Sequence, residues 1–182
     1  MEKTNSEFIL VRKGGIHGTG VFARNFIPKG TKILEYVGEK ITKSEAYDRI
    51  DKIEKKALKN KVPPVLYVFE LNKRYDIDGD VPWNTAKWIN HSCNPNCETE
   101  DDNGRVWIMA TKNINAGEEL TYDYGFDFDP ECFKDSPCKC GSKECIGYIV
   151  KKEHWNRLKR HLDKIQAEKR EIKNTPLLTI RR

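Results

Sequence analysis

Long hydrophobic runs are missing from the 182-residue sequence. No apolar stretch approaches the roughly 20 residues that a membrane-spanning helix needs, and residues 1–13 lack the apolar core of a signal peptide. We therefore expect an intracellular protein, cytoplasmic or nuclear, that does not enter a membrane and keeps its thiols reduced. In that setting its six cysteines are better explained by metal binding or by free thiols than by disulfides.

Internal repeats and low-complexity tracts are also missing. Hydrophobic residues make up 37% of the chain and charged residues 34%, which is typical of a folded globular protein and not of a disordered one. The length is sufficient for one well-buried domain with a small appendage, which we expect to be monomeric.

The net charge of +5 is unevenly distributed. Residues 151–182 contain eleven Lys or Arg and four Asp or Glu, a net +7, so the rest of the chain carries −2. Two acidic clusters, within residues 98–102 and 123–131, flank the polar segments described below. Such a surface would attract a basic peptide more readily than a nucleic acid, although solvated acidic loops would give the same pattern.

Short strands dominate the predicted secondary structure, which indicates a mainly β domain with few helices. A capping box, Thr42 and Glu45, begins one helix that should end near Asn60, before Pro63-Pro64. From Glu153, apolar residues at helical spacing predict a basic amphipathic helix docked on the body, followed by a frayed end at 175–182. The predicted strands cover residues 8–11, 21–23, 32–37, 65–71, 75–77, 106–110 and 119–124.

Two polar segments indicate a functional site. Residues 90–95 place an amide, an imidazole, a hydroxyl and a thiol in succession before an Asn-Pro turn. Residues 119–125 place Tyr122 and Tyr124 two positions apart on a strand, so both phenols should point to the same face. The glycine-rich residues 14–20 would allow a ligand to approach the backbone, but a plain hairpin is the likelier reading.

A cysteine cluster precedes the predicted C-terminal helix. Cys138, Cys140 and Cys145 offer three thiolates within eight residues, one fewer than a structural zinc site requires. Cys93 is the natural fourth ligand because it lies in a polar segment, while Cys97 and Cys132 are alternatives, and three free thiols in a loop would be the plain interpretation. Four sulfur ligands would leave no open position, so the zinc would be structural.

Five motifs occur in order: His17-Gly18-Thr19-Gly20, Glu35-Tyr36-Val37-Gly38, Asn90-His91-Ser92-Cys93-Asn94-Pro95-Asn96-Cys97, Glu118-Glu119-Leu120-Thr121-Tyr122-Asp123-Tyr124 and Cys138-x-Cys140-x4-Cys145. Together they resemble the SET-domain family of protein lysine methyltransferases with its post-SET zinc segment. The similarity is closest to the mixed-lineage-leukaemia type and runs from about Phe8 to Ile149.

The resemblance implies a fold and a division of the chain. Small curved sheets would enclose a pseudoknot in which the two polar segments cross. The SET domain would span residues 1–128 with a helical insert at about 42–60. The post-SET zinc segment would span residues 129–150, and a basic amphipathic helix and tail would occupy 151–182.

The resemblance also implies roles for individual residues, with S-adenosylmethionine as the methyl donor and zinc as a structural ion. Tyr124 would be the catalytic tyrosine, assisted by Tyr122, and Tyr67, Phe69 and Tyr122 would line the lysine channel. The cofactor-binding residues would be His17, Gly18, Thr19, Tyr36, Asn90, His91 and Tyr124, and the zinc ligands would be Cys93, Cys138, Cys140 and Cys145.

The function implied is methylation of a lysine in a histone or another basic protein or peptide. A tyrosine at position 122 leaves less room than phenylalanine, so we expect mostly mono- or dimethylation. Two other readings are a catalytically silent SET-like module that binds a basic partner, and a zinc-stabilised protein that binds nucleic acid through its basic helix. The last rests on charge alone, so nucleic acid is not the expected substrate.

Overall fold

A computed structural model describes residues 4–14, 16, 18–62 and 64–174. The expected frayed end at 175–182 lies outside these ranges. Within them the chain forms short strands and two α-helices. In chain order these are β1 (Ile9–Lys13), β2 (Thr19–Ala23), β3 (Lys32–Tyr36), β4 (Glu39–Thr42), α1 (Lys43–Asn60), β5 (Val68–Glu70), β6 (Tyr75–Asp78), β7 (Asn90–His91), β8 (Cys97–Asp102), β9 (Arg105–Ala110), β10 (Thr121–Tyr122) and α2 (Trp155–Asn174).

The described strands form four small sheets, which confirms the mainly β fold class. Strands β1 and β2 pair antiparallel, with Ile9 opposite Ala23, so the glycine-rich segment is part of a hairpin. Two three-stranded antiparallel sheets have the strand orders β3-β9-β8 and β4-β6-β5. The fourth sheet is the parallel pair β7 and β10, which joins the two polar segments.

Several strands differ from the sequence-based prediction because they are short, polar or at a sheet edge. The acidic segment 97–102 is the edge strand β8, and a solvated-loop interpretation of it is therefore wrong. Strand β4 was not predicted, and the predicted strand 65–71 is reduced to β5. Regular pairing in 119–124 is limited to β10, while Leu120 donates its N–H to the Val21 carbonyl at 2.8 Å.

Helix α1 begins and ends as its sequence predicts. The Thr42 hydroxyl accepts a hydrogen bond from the Glu45 N–H at 3.2 Å, and the Glu45 carboxylate accepts from the Thr42 N–H at 2.8 Å. These contacts complete the capping box. The helix ends at Asn60, and Lys61 adopts a left-handed conformation with φ 55° that closes its carboxyl end.

Two hydrophobic clusters hold the fold together. The larger one packs the sheets around fully buried residues such as Ile27, Ile108 and Leu120. The smaller one joins α2 to the region around residues 129–150, which carries the cysteine cluster. Its buried residues are Phe128, Phe133, Val150 and Leu158. Helix α2 is therefore docked on the body through Leu158, as its apolar spacing predicts. In the described part of the chain, no helix combines the length and the hydrophobicity needed to cross a membrane.

Candidate active site and metal centre

The two polar segments lie side by side, as the sequence predicts. In the parallel pair, Asn90 is opposite Thr121 and His91 is opposite Tyr122. Asn96, which is buried, fixes the arrangement: its side-chain oxygen accepts from the Thr121 N–H and its amide donates to the Glu119 carbonyl, both at 2.8 Å. These bonds satisfy buried backbone groups that two-residue strands would otherwise leave unpaired.

His91 connects Tyr124 to the cysteine cluster. Its Nδ1 accepts a hydrogen bond from the Tyr124 N–H at 3.2 Å, so the ring proton is assigned to Nε2. Nε2 lies 3.7 Å from the Cys93 sulfur. Burial lowers the pKa of His91, although Asp123 opposes this effect, and the imidazole is therefore neutral. Both ring nitrogens thus have protein partners.

An aromatic cavity of about 530 Å³ lies next to this junction. Rings line it in contact with one another: Tyr122 and Tyr124 have centroids 5.1 Å apart, and Tyr36 and Phe69 have centroids 5.4 Å apart. Tyr67 completes this wall, and the Tyr36 hydroxyl donates to its carbonyl at 2.7 Å. The structure therefore brings Tyr67, Phe69 and Tyr122 together beside Tyr124. Tyr36 also belongs to this aromatic wall.

The Tyr124 hydroxyl is placed where the aromatic cavity meets the two polar segments. It donates a hydrogen bond to the Ile89 carbonyl at 3.0 Å. Burial, with a further contribution from the neighbouring Tyr67, raises the pKa of Tyr124 to about 12. The phenol is therefore neutral near pH 7, and it can donate or accept a hydrogen bond but is a poor proton acceptor.

Gly18, Thr19 and Asn90 form a second cluster, on the hairpin side of the junction. The Asn90 amide donates to the Thr19 carbonyl at 3.2 Å, and Gly18 has φ 59°, a conformation that favours glycine. His17, the other residue predicted here, lies outside the described residues. This cluster offers backbone groups and the side-chain oxygen of Asn90 to a polar ligand, because the Asn90 amide nitrogen already donates to Thr19 and to Glu119.

Glu119 organises this second cluster, a role that sequence reasoning missed. Its carboxylate accepts from the Asn90 amide at 2.6 Å and from the Ile16 N–H at 3.1 Å. A Cβ at Gly20 would lie 2.5 Å from the Glu119 carboxylate, so a side chain there would displace this carboxylate from its hydrogen-bond partners. The position of Glu119 within the Glu118-Glu119-Leu120-Thr121-Tyr122 motif was the available signal, but its partners are more than 25 residues away in sequence.

Phe126 was also missed, because residues 126–137 show no periodicity. Its ring packs against Tyr124 at a centroid distance of 5.9 Å and lines the aromatic cavity, yet it is 39% exposed. The Lys151 N–H donates to the Phe126 carbonyl at 2.8 Å, and the Lys151 ammonium pairs with Asp127 at 3.0 Å. The start of the C-terminal region thus holds one wall of the cavity.

Four cysteine sulfurs converge within 4.8 Å of one another: those of Cys93, Cys138, Cys140 and Cys145. The Cys93 sulfur is 3.7 Å from that of Cys138 and 3.8 Å from that of Cys145. A tetrahedral zinc ion with zinc–sulfur bonds of about 2.3 Å requires sulfurs about 3.8 Å apart. The group can therefore hold zinc as a closed, four-coordinate structural site.

The two alternative ligands lie elsewhere. Cys97 is buried and its thiol contacts the Asn96 side-chain oxygen at 3.5 Å, while Cys132 is exposed. Among the described residues, neither joins the four-sulfur group. Cys93 therefore completes the set, and it does so from the same segment that carries Asn90 and His91.

Comparison with known proteins identifies the family of the chain. The SET domain family profile matches residues 18–125. The chain is 38% identical over 141 residues to "Histone-lysine N-methyltransferase trr" of Drosophila melanogaster. The matched stretch is 75% of this chain and 6% of that protein. It is 39% identical over 137 residues to "Histone-lysine N-methyltransferase ASHR3" of Arabidopsis thaliana, covering 72% of this chain and 26% of that protein.

A third relative is "Histone-lysine N-methyltransferase, H3 lysine-4 specific" of Saccharomyces cerevisiae, 34% identical over 145 residues, 78% of this chain and 13% of that protein. The relatives include the mixed-lineage-leukaemia type, as the motifs predict. The chain spans about a quarter or less of the length of these three proteins. Since the family profile covers more than half of the chain, the chain belongs to the SET-domain family.

Proposed function

We propose that the chain is a protein lysine N-methyltransferase that transfers a methyl group from S-adenosylmethionine to a lysine of a basic protein or peptide. The observation that carries the proposal is the position of Tyr124. Its ring lines the aromatic cavity and its hydroxyl bonds the carbonyl of Ile89, the residue before Asn90 of the second cluster, so a lysine and a cofactor could meet near this hydroxyl.

The residues of the second cluster fit the cofactor by their chemistry. S-adenosylmethionine carries amine, carboxylate and adenine groups, and it supplies an electrophilic methyl group on a sulfonium. We propose that backbone groups of Gly18, Thr19 and His91, with the side chain of Asn90, bind its polar groups. His17 is proposed to act there too, and Tyr36 and Tyr124 would line the site from the aromatic side.

The aromatic cavity suits the lysine stem and its amine. A lysine ammonium has a pKa near 10.4 in water, and burial among aromatic rings disfavours the charged form. Tyr67, Phe69 and Tyr122 would hold the stem and a methylated, cationic product against their faces. The cavity thereby helps the amine to lose its proton and aligns it for an in-line displacement.

Tyr124 acts in this proposal as an orienting hydroxyl and not as a general base. Because burial raises its pKa to about 12, the phenol keeps its own proton near pH 7 and is not in the form that could accept another. The hydroxyl and the Ile89 carbonyl present polar oxygen atoms at the junction. Polar groups fixed before the reaction stabilise developing charge without having to reorganise.

Zinc bound to the four cysteines would be structural and would tie residues 129–150 to Cys93. The division into residues 1–128, 129–150 and 151–182 remains our proposal, with the first as the SET domain. Because His91 connects Cys93 to Tyr124, the metal would also fix the catalytic tyrosine.

A basic substrate is supported by the acidic strand β8 beside the cavity, since the lysines and the acidic residues that line the cavity itself are equal in number. Thr99 in the middle of β8 lines the cavity, while its neighbours Glu98 and Glu100 are exposed on the other face of the strand. Asp123, next to Tyr124, also lines it. The names of the relatives point to histones, and we propose a histone or another basic protein, methylated by a monomeric enzyme inside the cell.

The proposal is tested by incubating the protein with radiolabelled S-adenosylmethionine and a set of histones and basic peptides. We expect label on a lysine, identified by mass spectrometry. Cofactor binding by calorimetry without transfer to any protein of a cell lysate would instead support a silent module that binds a basic partner. Nucleic acid should take no label.

Replacing Tyr122 by phenylalanine is expected to raise the methylation state. Tyr122 is buried beside Tyr124, and burial raises the pKa of its hydroxyl well above its usual range, so the group stays protonated and occupies space. Mass spectrometry should show mono- and dimethyllysine for the native protein and trimethyllysine for Y122F. Efficient trimethylation by the native protein would contradict the interpretation.

Replacing Glu119 by glutamine is expected to weaken S-adenosylmethionine binding about tenfold, because charge-assisted hydrogen bonds to Ile16 and Asn90 are lost. The KM for the cofactor should rise while the KM for the peptide is unchanged. Glu118→Gln is the matched control, since Glu118 is exposed and its carboxylate accepts from the side chain of the nearby Asn115 at 2.8 Å. Equal cofactor affinity in the two variants would refute the role of Glu119.

A further inference from the structure

Lysines of the chain itself line the aromatic cavity. Among the described residues these are Lys43, Lys87 and Lys151. The proposed function places a substrate lysine in the same cavity, beside Tyr124. An amine of the chain that reaches the reacting centre would therefore meet the same methyl donor. The ion pairs of the three ammonium groups show which of them is available.

Two of these ammonium groups are firmly held. The Lys43 ammonium pairs with the buried Asp76 at 2.6 Å and with Glu70 at 3.3 Å. The Lys87 side chain is only 10% exposed, pairs with Asp80 at 3.0 Å and lies over two aromatic rings. Breaking a buried ion pair leaves a charge without its partner, which is costly in free energy. Lys43 and Lys87 are therefore unsuited to accept a methyl group.

Lys151 is held much more loosely. Its ammonium pairs with Asp127 at 3.0 Å, and the two side chains are 39% and 77% exposed. Ion pairs as exposed as this one contribute little to stability. The hydrogen bond to Asp127 raises the pKa of Lys151, so the pair must open before the amine can react. Opening it leaves both charged groups within reach of water.

The stem of Lys151 already lies against the segment that carries Tyr124. A Cβ added at Gly125, the next residue, would be 3.6 Å from the Lys151 Cε. The Lys151 N–H donates to the Phe126 carbonyl at 2.8 Å, and the Phe126 ring packs on Tyr124. The backbone of Lys151 is thus anchored at the cavity, while rotations within its flexible four-carbon stem move the amine.

We propose that Lys151 is a modification site of this protein: its amine takes a methyl group from S-adenosylmethionine in the same molecule. The inference rests on the proposed methyltransferase function and names a second acceptor for that site. The methyl group would be placed on the lysine that joins the cysteine region to helix α2.

The transfer to Lys151 balances without any further reactant. The ammonium leaves Asp127 and gives a proton to water. The neutral nitrogen then forms a bond to the methyl carbon as the bond from that carbon to sulfur breaks, and the sulfur keeps the electron pair. The products are a methylammonium group, S-adenosylhomocysteine and the released proton. Methylation keeps the positive charge of Lys151 and removes one N–H donor for each methyl group.

The test incubates the full chain with S-adenosylmethionine and no other protein. Intact mass spectrometry should show the gain of one or two methyl groups, and peptide mapping should place them on Lys151. The rate per chain should not depend on protein concentration, as expected of a step within one molecule. A saturating basic peptide should slow the modification, because both amines need the same cavity.

Three variants localise the effect. Lys151→Arg should lose the methyl group while transfer to a basic peptide stays measurable. Lys152→Arg is the matched control, because Lys152 is 72% exposed, pairs with Glu144 and does not line the cavity. It should still be methylated at Lys151. Asp127→Asn should raise the rate of self-methylation by up to about fivefold, the effect of an exposed ion pair.

An affinity-tagged Y124F protein serves as an acceptor that transfers poorly itself. When it is mixed with the native protein, its Lys151 should remain unmodified. The outcomes then separate the two claims. Transfer to a peptide while Lys151 of the native protein stays unmodified, or methylation of Lys151 in Y124F by the native protein, would overturn this proposal alone. A lack of transfer to every peptide and protein, Lys151 included, would overturn the proposed function as well.

Discussion

Replacing Tyr124 by phenylalanine should lower the rate of methyl transfer by about 10²–10³-fold, the usual effect of removing one fixed polar group at a reacting centre. The ring would keep its contacts with Tyr122, His91 and Phe126, so the fold should persist. Only the hydroxyl at the junction of the two clusters is lost. The rate is measured with saturating cofactor and peptide.

Cofactor affinity distinguishes this effect from a folding defect. Calorimetry should show S-adenosylmethionine binding to Y124F within a few-fold of the native protein. Tyr148→Phe is a suitable control, since Tyr148 packs on Phe133 in the smaller hydrophobic cluster, away from the cavity. An unchanged rate in Y124F would remove Tyr124 from the mechanism.

The pH dependence of the rate should follow the ionisation of the substrate lysine and not the ionisation of Tyr124. Because burial raises the pKa of Tyr124 to about 12, the phenol stays protonated at the pH values used in assays. The rate should therefore rise with pH as the lysine amine loses its proton. It should show no fall attributable to tyrosinate.

Removing the metal, or replacing Cys138 by serine, should release residues 129–150 from the SET domain. Structural zinc sites supply folding free energy directly, and here the ion would join Cys93 to three thiols that lie 45 or more residues later. We expect one zinc per chain, and a fall in melting temperature on the order of 10 °C in C138S.

Hydrogen exchange should locate the part of the structure that is destabilised in C138S. The Cys138 amide, which donates to the Gly147 carbonyl at 2.9 Å, and the amides around it should lose protection first. Methyl transfer should fall as well, because Phe126 and His91 are held by the same region. Cys132→Ser is the control: Cys132 is exposed and outside the group, and its replacement should change neither metal content nor rate. A metal-free native protein with full activity would contradict the prediction.

The ends of helix α1 and the grouping of three of the four cysteines could be predicted because local signals determine them, whereas Cys93 is brought to them from 45 residues earlier by the fold. The capping box at Thr42 and Glu45 acts within one helical turn. The spacing of Cys138, Cys140 and Cys145 brings three sulfurs together within a short loop. Apolar spacing likewise places Leu158 on the docked face of α2.

The strands were less predictable than the helices. Strand β8 is acidic and lies at a sheet edge, and β7 and β10 are two residues long. Such segments lack the alternating pattern that marks a half-buried strand, because their stability comes from pairing with partners far along the chain. Asn96 provides much of that pairing through its own side chain.

The sequence by itself determined the family, the mainly β composition and the residues that carry the proposed chemistry, because each depends on residue types at fixed short spacings. Only the tertiary structure decided that Glu119 fixes Asn90 and Ile16 and that Phe126 forms one wall of the cavity. Those contacts join residues that are distant in the chain, so their free energy depends on how the sheets fold together and not on any local pattern.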